Sequence, residues 1–176
     1  MRKGIVRGTL CLALAAFAAC SDWTDHYDDM SGNSPTAGIS IYEQIAADNE
    51  LSQFRTLLDR VHLYENNRPT TLTYGDVLRG DQFMTVWVPK NGTFNLDSLL
   101  EVLQTAGGDS LVGVHFIADH MARYRHMQGT NERVMMLNGK TKHLAMNYMD
   151  GALMEKANVP ASNGILHILK GDYQYH

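Results

Sequence analysis

The sequence predicts one α+β domain, and three observations point to that fold class. A run of strand-forming residues from Phe83 to Val88 ends at Pro89, which cannot donate a hydrogen bond to a sheet. A second apolar run, residues 165–169, follows Asn163-Gly164. Segments with helical periodicity lie before the first run and between the two runs. We therefore expect both runs to be buried strands of a domain that also contains helices.

Residues 1–19 are predicted to be a secretion signal that precedes the domain. Three basic residues give the segment a positive start, and the apolar stretch that follows is too short to span a membrane as a helix. Residues 17–20, Phe-Ala-Ala-Cys, resemble the cleavage motif of bacterial lipoproteins. The resemblance implies cleavage before Cys20 and acylation of this residue, which would anchor the protein to a membrane. An uncleaved anchor and a signal cut elsewhere remain the alternatives.

Residues 20–38 are predicted to form a flexible acidic tether, which leaves residues 39–176 for the domain. The tether contains Asp25, Asp28 and Asp29 and few apolar side chains to offset the entropy of ordering. Acidic residues just after a lipidated cysteine resemble the surface-export signals of Bacteroidetes lipoproteins. This resemblance implies a lipid-anchored protein of the outer membrane that is exposed at the cell surface.

The charge and the cysteines restrict the partners and the cross-links of the domain. Loss of the signal leaves twelve basic and 19 acidic residues, a formal charge of −7. A nucleic-acid partner needs a cationic face, and this acidic balance argues against one. Cys11 leaves with the signal and Cys20 would carry the lipid, so no cysteine remains for a disulfide. The domain must then be stabilised by its core.

Two helices and a turn are predicted before the first apolar run. Ser40 and Glu43 form a capping box that opens a helix over residues 41–47. Residues 65–71 are predicted to be a polar loop, and residues 74–78 one helical turn. The second helix is predicted from apolar residues at helical spacing, namely Leu51, Phe54, Leu57, Leu58 and Val61.

Two further helices are predicted after the first apolar run. Leucines at helical spacing predict one over residues 96–103, and Gly107-Gly108 would end it. Asp109 or Ser110 would cap the next, from Leu111 to about Arg123. Its inward residues are predicted to include Leu111, Val114, His115 and Ala118.

A β-hairpin is predicted next. Residues 133–137 and 140–146 would be its strands, and Asn138-Gly139 its two-residue type I′ turn. Residues 148–160 are less regular, with a turn indicated at Asp150-Gly151.

Three blocks of residues resemble the fasciclin-type domain, an adhesion module of secreted and surface proteins. They are residues 85–91 with Phe94, the central His120, and residues 163–169. The resemblance covers residues 39–171 and implies a fasciclin-like β-sandwich with N-terminal and inserted α-helices. It implies that Trp87 and Leu166 lie in a single sandwich-like core. It also implies structural roles for six motif residues: Pro89, Asn91, His120, Asn163, Gly164 and His167.

The residues themselves favour structural roles for two histidines. His167 alternates with Ile165 and Leu169 on one strand face, which favours a hydrogen-bonded core histidine over a ligand. For His120 a structural role is also favoured, with a functional role as the alternative.

Enzymatic and metal chemistry find little support. Gly108-Asp109-Ser110-Leu111 spells the nucleophile block of a lipase and esterase family, but the matching Asp59 and His62 pair precedes the serine where that family has it after. His115, His120 and His126 are five and six positions apart, whereas two ligands on one helix face need three or four. Thus no catalytic, cofactor-binding or metal residue is assigned.

Surface features leave two functions open. Asp97-Ser98-Leu99 resembles the O-glycosylation sequon of Bacteroidetes export proteins, so Ser98 is a predicted glycosylation site. Aromatics such as Tyr64, Tyr124 and Tyr148 are expected at the surface, without a binding site assigned to them. We expect a non-enzymatic surface lipoprotein that mediates adhesion or binds an extracellular protein or glycan. The alternative is a structural accessory subunit of an outer-membrane glycan-uptake complex. The sequence does not specify an oligomeric state.

Overall fold

The computed structural model describes residues 38–66, 68–105 and 111–171, with only the backbone for residues 101–105. The predicted signal, Cys20 and almost all of the tether lie outside the described residues, as do Gly107-Gly108, Asp109 and Ser110. No helix in the described ranges is long and apolar enough to cross a membrane.

All the helices lie in the first two thirds of the described chain and six consecutive strands follow them, which confirms the α+β class. The helices are α1 Ile41–Ala47, a 3-10 turn Asn49–Leu51, α2 Ser52–Arg60, α3 Tyr74–Arg79, α4 Leu96–Thr105 and α5 Leu111–Ala118. The strands are β1 His62–Glu65, β2 Arg68–Thr73, β3 Met84–Pro89, β4 Met121–Arg123, β5 Glu132–Met135, β6 Thr141–Ala145, β7 Tyr148–Met149, β8 Ala152–Ala161 and β9 Gly164–Leu169.

Seven strands form one sheet in the order β4-β3-β9-β8-β7-β6-β5. Two inner strands, β3 and β9, form a parallel pair, and the other pairs are antiparallel. β8 pairs with β7 through its first residues and with β9 through the rest, with two register shifts along the way. Such shifts bend a strand. The bend brings the two ends of the sheet together, where Ala122 bridges Met136 and the Leu137 N–H donates to the Met121 carbonyl at 2.8 Å.

The sheet has a buried cluster on each face. The helix-side core lies under the helices and contains Ile41, Ile45, Leu51, Phe54, Leu57, Leu58, Val61, Tyr74, Leu78, Met84, Val86, Val88, Phe116, Ile117, Met121, Leu166 and Ile168. The sandwich-side core lies inside the curled sheet and contains Trp87, Ala122, Val134, Met136, Leu144, Met149, Ala152, Met154 and Leu169.

The expectation that Trp87 and Leu166 share one core is wrong. β3 and β9 do lie side by side, with Val86 opposite Leu166 and Trp87 opposite His167. Successive side chains of a strand point to opposite faces, so Trp87 and Leu166 lie on different sides of the sheet. A strand that is buried on both faces serves two cores, and a continuous apolar run is what such a strand requires.

The first two helices agree with their sequence signals. The Glu43 N–H donates to Ser40 Oγ at 3.2 Å and the Ser40 N–H donates to Glu43 Oε2 at 2.7 Å, so the predicted capping box of α1 is confirmed. The five apolar residues that predicted α2 are all buried. α3 also forms where a helical turn was predicted.

The prediction of a polar loop at residues 65–71 is wrong, because β1 and β2 pair there as a separate two-stranded hairpin. Asn66, with φ 51°, turns the chain between them. Most of the hairpin residues are exposed or half-buried, so no alternation of apolar and polar residues marked them as strands.

The predicted fourth helix is also shorter than expected. α5 ends at Ala118, and β4 begins at Met121 because the His120 carbonyl accepts from the Trp87 N–H at 2.9 Å, extending the β3–β4 pairing. Of its predicted inward residues, Leu111 and His115 are exposed. The buried residues of α5 are Gly113, Phe116, Ile117 and Ala118. The helix is apolar on nearly all sides, so periodicity could not identify the buried face.

The type I′ turn occurs at a different position from the predicted one. Between β5 and β6 the Gly139 N–H donates to the Met136 carbonyl at 2.9 Å, and of the residues there only Gly139 has positive φ. This is a three-residue loop with a glycine bulge, not a type I′ turn. Asp150 and Gly151, with φ 50° and 89°, instead form the left-handed pair that a type I′ turn needs. They join β7 to β8, the long strand in the region predicted to be irregular.

Candidate functional site

Asn163 connects three segments at one end of the central strands. Its Oδ1 accepts from the Ile41 N–H at 2.9 Å, and its Nδ2 donates to the carbonyls of Leu78 and Gly80 at 2.8 and 2.7 Å. Its own carbonyl accepts from the Met84 N–H at 3.0 Å. Asn163 thereby fixes the start of α1 and the end of α3 against β3, so its hydrogen bonds serve the fold.

Gly164 lies where a side chain has no room. Its φ is 154°, and a Cβ on it would lie 1.9 Å from the Met84 carbonyl oxygen and 2.7 Å from a methyl group of Ile41. Glycine is therefore required for the close approach of β9 to the start of β3.

His167 is fully buried beside Trp87. Its Nε2–H donates to the His126 carbonyl at 3.0 Å, and its Nδ1 accepts from the Asn158 N–H at 3.3 Å. Burial, which disfavours the charged ring, lowers the pKa of His167 to about 4. The imidazole is therefore neutral near pH 7 and joins β9 to two loops by hydrogen bonds.

His120 is buried on the other side of the sheet, next to the helices. Its Nδ1 donates to the Phe116 carbonyl at 2.7 Å, and its ring contacts Phe116 and Phe54 with centroid distances of 4.7 and 5.6 Å. His120 and His167 are thus separated by the sheet and do not form a common site.

The first motif block ends in a hydrogen-bonded corner. Pro89 closes β3 opposite Leu169. Asn91 Oδ1 then accepts from the Gln53 N–H at 2.9 Å, and its Nδ2 donates to the Asn49 carbonyl at 2.8 Å. Asn91 therefore supplies the acceptor at the start of α2 and attaches the end of β3 to that helix.

Ser98 lies exposed in the first turn of α4, and its N–H donates to Asn95 Oδ1 at 3.0 Å. Glycosylation of Ser98 stays a prediction, as does lipidation of Cys20. Of the aromatics expected at the surface, Tyr124 and Tyr148 are exposed by 76% and 47%.

A buried ion pair, Asp119–Lys142, is a feature that sequence reasoning missed. Lys142 Nζ lies 2.9 Å from Asp119 Oδ2, and the two side chains are only 7% and 2% exposed. Asn138 Nδ2 donates to Asp119 Oδ1 at 2.7 Å. The alternation of buried and exposed residues along β6 gave a signal, because Lys142 is two positions from the buried Leu144.

The best candidate for a binding site is a groove of about 480 Å³ where β4 meets β5, which we call the β4–β5 groove. It is lined by Arg123, Tyr124, His126, Arg133, Met135, Met136, Leu137 and Gly139. Tyr124 and Met135 are largely exposed, by 76% and 70%. Sequence reasoning identified the exposure of Tyr124 but not the groove.

The two arginines of the β4–β5 groove have no carboxylate partner in the part of the chain that the structure describes. The neighbouring Glu132 contacts His126, with its Oε1 3.2 Å from His126 Nδ1. Both guanidinium groups are therefore available to an anionic ligand, on a domain whose net charge is acidic.

Tyr124 is held in an unusual backbone conformation at the same groove. Its φ is 68°, which costs a non-glycine residue about 1 kcal/mol. The buried Thr85 stabilises it, because Thr85 Oγ1 donates to the Tyr124 carbonyl at 2.7 Å and accepts from the His126 N–H at 3.1 Å. The strained backbone and exposed ring are typical of a position shaped by binding.

A second hollow, of about 430 Å³, lies beside the start of α4. It is formed by Gln53 and residues 92–97, with the carboxylate of Asp97 at its edge. In the described ranges no group of three or more His, Cys, Asp or Glu side chains is placed to hold a metal ion. We therefore treat the β4–β5 groove as the candidate site.

No protein-family model and no curated protein sequence matches the chain. Among solved structures it is similar to a FAS1 domain pair from the insect cell adhesion molecule Fasciclin I, with 11% sequence identity and a TM-score of 0.49. The match covers 78% of this chain and 51% of that one, so the chain spans about half the length of the domain pair. That structure belongs to the family that the three motif blocks resemble.

Proposed function

We propose that the protein is a non-enzymatic lipoprotein, anchored at the outer membrane through Cys20, whose fasciclin-like domain binds an extracellular glycan. Binding of this kind would attach the cell to a surface or to a matrix. The anchor rests on the N-terminal sequence and the family on the three motif blocks. The binding role rests on the β4–β5 groove.

The observation that carries the binding role is the grouping of Arg123, Arg133 and Tyr124 around one groove. Guanidinium groups form paired hydrogen bonds with carboxylates, and an exposed tyrosine ring offers a flat apolar surface to a sugar ring. The apolar Met135 extends that surface. Charge complementarity therefore favours a glycan that carries carboxylate groups over a neutral glycan.

The test is an array of neutral and acidic glycans probed with the chain that lacks residues 1–20. We expect selective binding of carboxylate-bearing glycans, weakened at high salt because the pairing is electrostatic. Arg123→Ala and Arg133→Ala should each weaken it by about tenfold or more. Arg68→Ala, an exposed arginine on the separate hairpin, is the charge-matched control and should bind normally.

Two results would contradict the proposal. Equal binding by the Arg68→Ala and Arg123→Ala variants would show that the groove does not take part in glycan binding. Absence of glycan binding, together with co-purification of an outer-membrane partner, would favour the accessory-subunit alternative.

A further inference from the structure

Lys142 and Asp119 are placed for a covalent reaction as well as for an ion pair. Their side chains approach within 2.9 Å in a site that is almost closed to water. An amine nitrogen held against a carboxyl group, with little freedom to move away, reacts far faster than the same groups in solution. Two further polar groups surround the pair: Asn138 on Asp119, and Asp150, whose Oδ2 is 3.4 Å from Lys142 Nζ.

The pair lies against the apolar interior of the curled sheet. Lys142 shares the inward face of β6 with Leu144, and its register partner on β5 is the fully buried Val134. Burial removes the hydration that stabilises an ammonium and a carboxylate, and a buried ion pair regains only part of it by mutual attraction. Transfer of one proton from Lys142 Nζ to Asp119 gives a neutral amine and a neutral acid, the two forms that can condense.

We propose that Lys142 and Asp119 join in an intramolecular amide bond between Nζ and Cγ. After the proton transfer, the nitrogen lone pair attacks Cγ and the Nζ–Cγ bond forms. A second proton then passes from the nitrogen to the departing hydroxyl oxygen. The Cγ–O bond breaks and one water leaves, so the reaction needs neither an oxidant nor a reductant.

Two neighbours have defined parts in this condensation. The Asn138 Nδ2–H, 2.7 Å from Asp119 Oδ1, stabilises the negative charge that develops on that oxygen during attack. Asp150 lies on the amine side, half exposed, and carries the second proton from the nitrogen to the departing oxygen. The bond would connect β6 to the turn before β4, across the interior of the curled sheet.

The test is peptide mapping of the full chain after digestion with trypsin. Trypsin does not cut after a lysine whose Nζ is acylated. We therefore expect a branched peptide that joins residues 91–123 to residues 141–156 and that is lighter by one water than the sum of its parts. Separate linear peptides, with cleavage after Lys142 and an unmodified Asp119, would overturn the proposal.

Variants separate the bond from the ion pair. Lys142→Arg keeps the positive charge but cannot form the amide, so only linear peptides are expected. Asp119→Asn should still form the bond, with loss of ammonia in place of water, and should therefore give a branched peptide of the same mass as the wild type. Lys140→Arg is the matched control on the same hairpin and should leave the branched peptide unchanged. A branched peptide that survives in Lys142→Arg would assign the link to other residues.

Discussion

The imidazole of His167 stacks on the indole of Trp87, with ring centroids 5.4 Å apart and only 6° between the ring planes. The two residues are register partners on the central parallel strands. The stacked pair forms a wall of the sandwich-side core. In the described ranges the Trp87 Nε1–H is a buried donor without an acceptor, so the indole is held by packing and not by hydrogen bonding.

The first prediction is that the domain loses stability in mild acid because of His167. Its pKa is about 4 when folded and near 6.5 when unfolded, so between these values the unfolded chain binds a proton that the folded chain does not. The contribution is complete above about pH 6.5 and is lost as the pH falls toward 4, by about 3 kcal/mol. Denaturant unfolding at a series of pH values measures it.

Substitution identifies the residue responsible for that pH dependence. His167→Gln should be less stable at pH 7 but should lose the part of the slope between pH 6.5 and 4. His143→Gln, at an exposed histidine on β6, is the control and should keep the whole slope. An unchanged slope in His167→Gln would assign the effect to other groups.

The second prediction concerns the contact of β9 with β3. Gly164→Ala places a methyl group against the Met84 carbonyl, at a φ that alanine rarely adopts, so the strands must separate. We expect a loss of about 3 kcal/mol or more in the free energy of unfolding. Gly38→Ala has no heavy atom within 4 Å of the new Cβ and should change little. Equal stability of the two variants would show that β9 does not approach β3 as described.

The third prediction separates the acceptor and donor contacts of Asn163. Asn163→Ala leaves the Ile41 N–H and two carbonyls without partners and should cost about 3 kcal/mol. Asn163→Asp keeps the acceptor for Ile41 but loses the donor to Leu78 and Gly80. In thermal unfolding, the wild type should therefore have the highest melting temperature of the three proteins. Wild-type stability in Asn163→Asp would show that the donor contacts contribute nothing.

The fourth prediction relates strain to binding at Tyr124. Asparagine tolerates positive φ better than tyrosine, so Tyr124→Asn should raise the free energy of unfolding by about 0.5 kcal/mol. The same variant removes the exposed ring and should weaken glycan binding. Tyr148→Asn, at an exposed tyrosine outside the groove, is the control for binding. A Tyr124→Asn variant that binds normally would show that the ring of Tyr124 does not contribute to glycan binding.

Local signals were sufficient wherever neighbouring residues decide the structure. Ser40 and Glu43 predict α1 because both partners of a capping box lie within one turn. The runs at β3 and β9 predict buried strands because few other structures accept six consecutive buried residues of this kind.

Features that depend on the curling of the sheet could not be predicted from local sequence signals. Arg123 and Arg133 line one groove only because β4 and β5, at opposite ends of the sheet order, meet through Ala122 and Met136. The curl originates in register shifts along β8, and no single residue of that strand predicts a bend. For the same reason, the spacing of Lys142 from Leu144 indicates an inward position on β6 but does not indicate the contact with Asp119.

The place of β9 in the sheet has a consequence for biogenesis. This strand is synthesised after the other described strands, yet it occupies an inner position between β3 and β8. In a nascent chain that has not yet produced β9, β3 can pair only with β4, and β8 lacks its partner as well, so the sheet cannot close. The export proposed above would require an extended polypeptide, and this order of pairing would delay closure of the sheet until β9 is available.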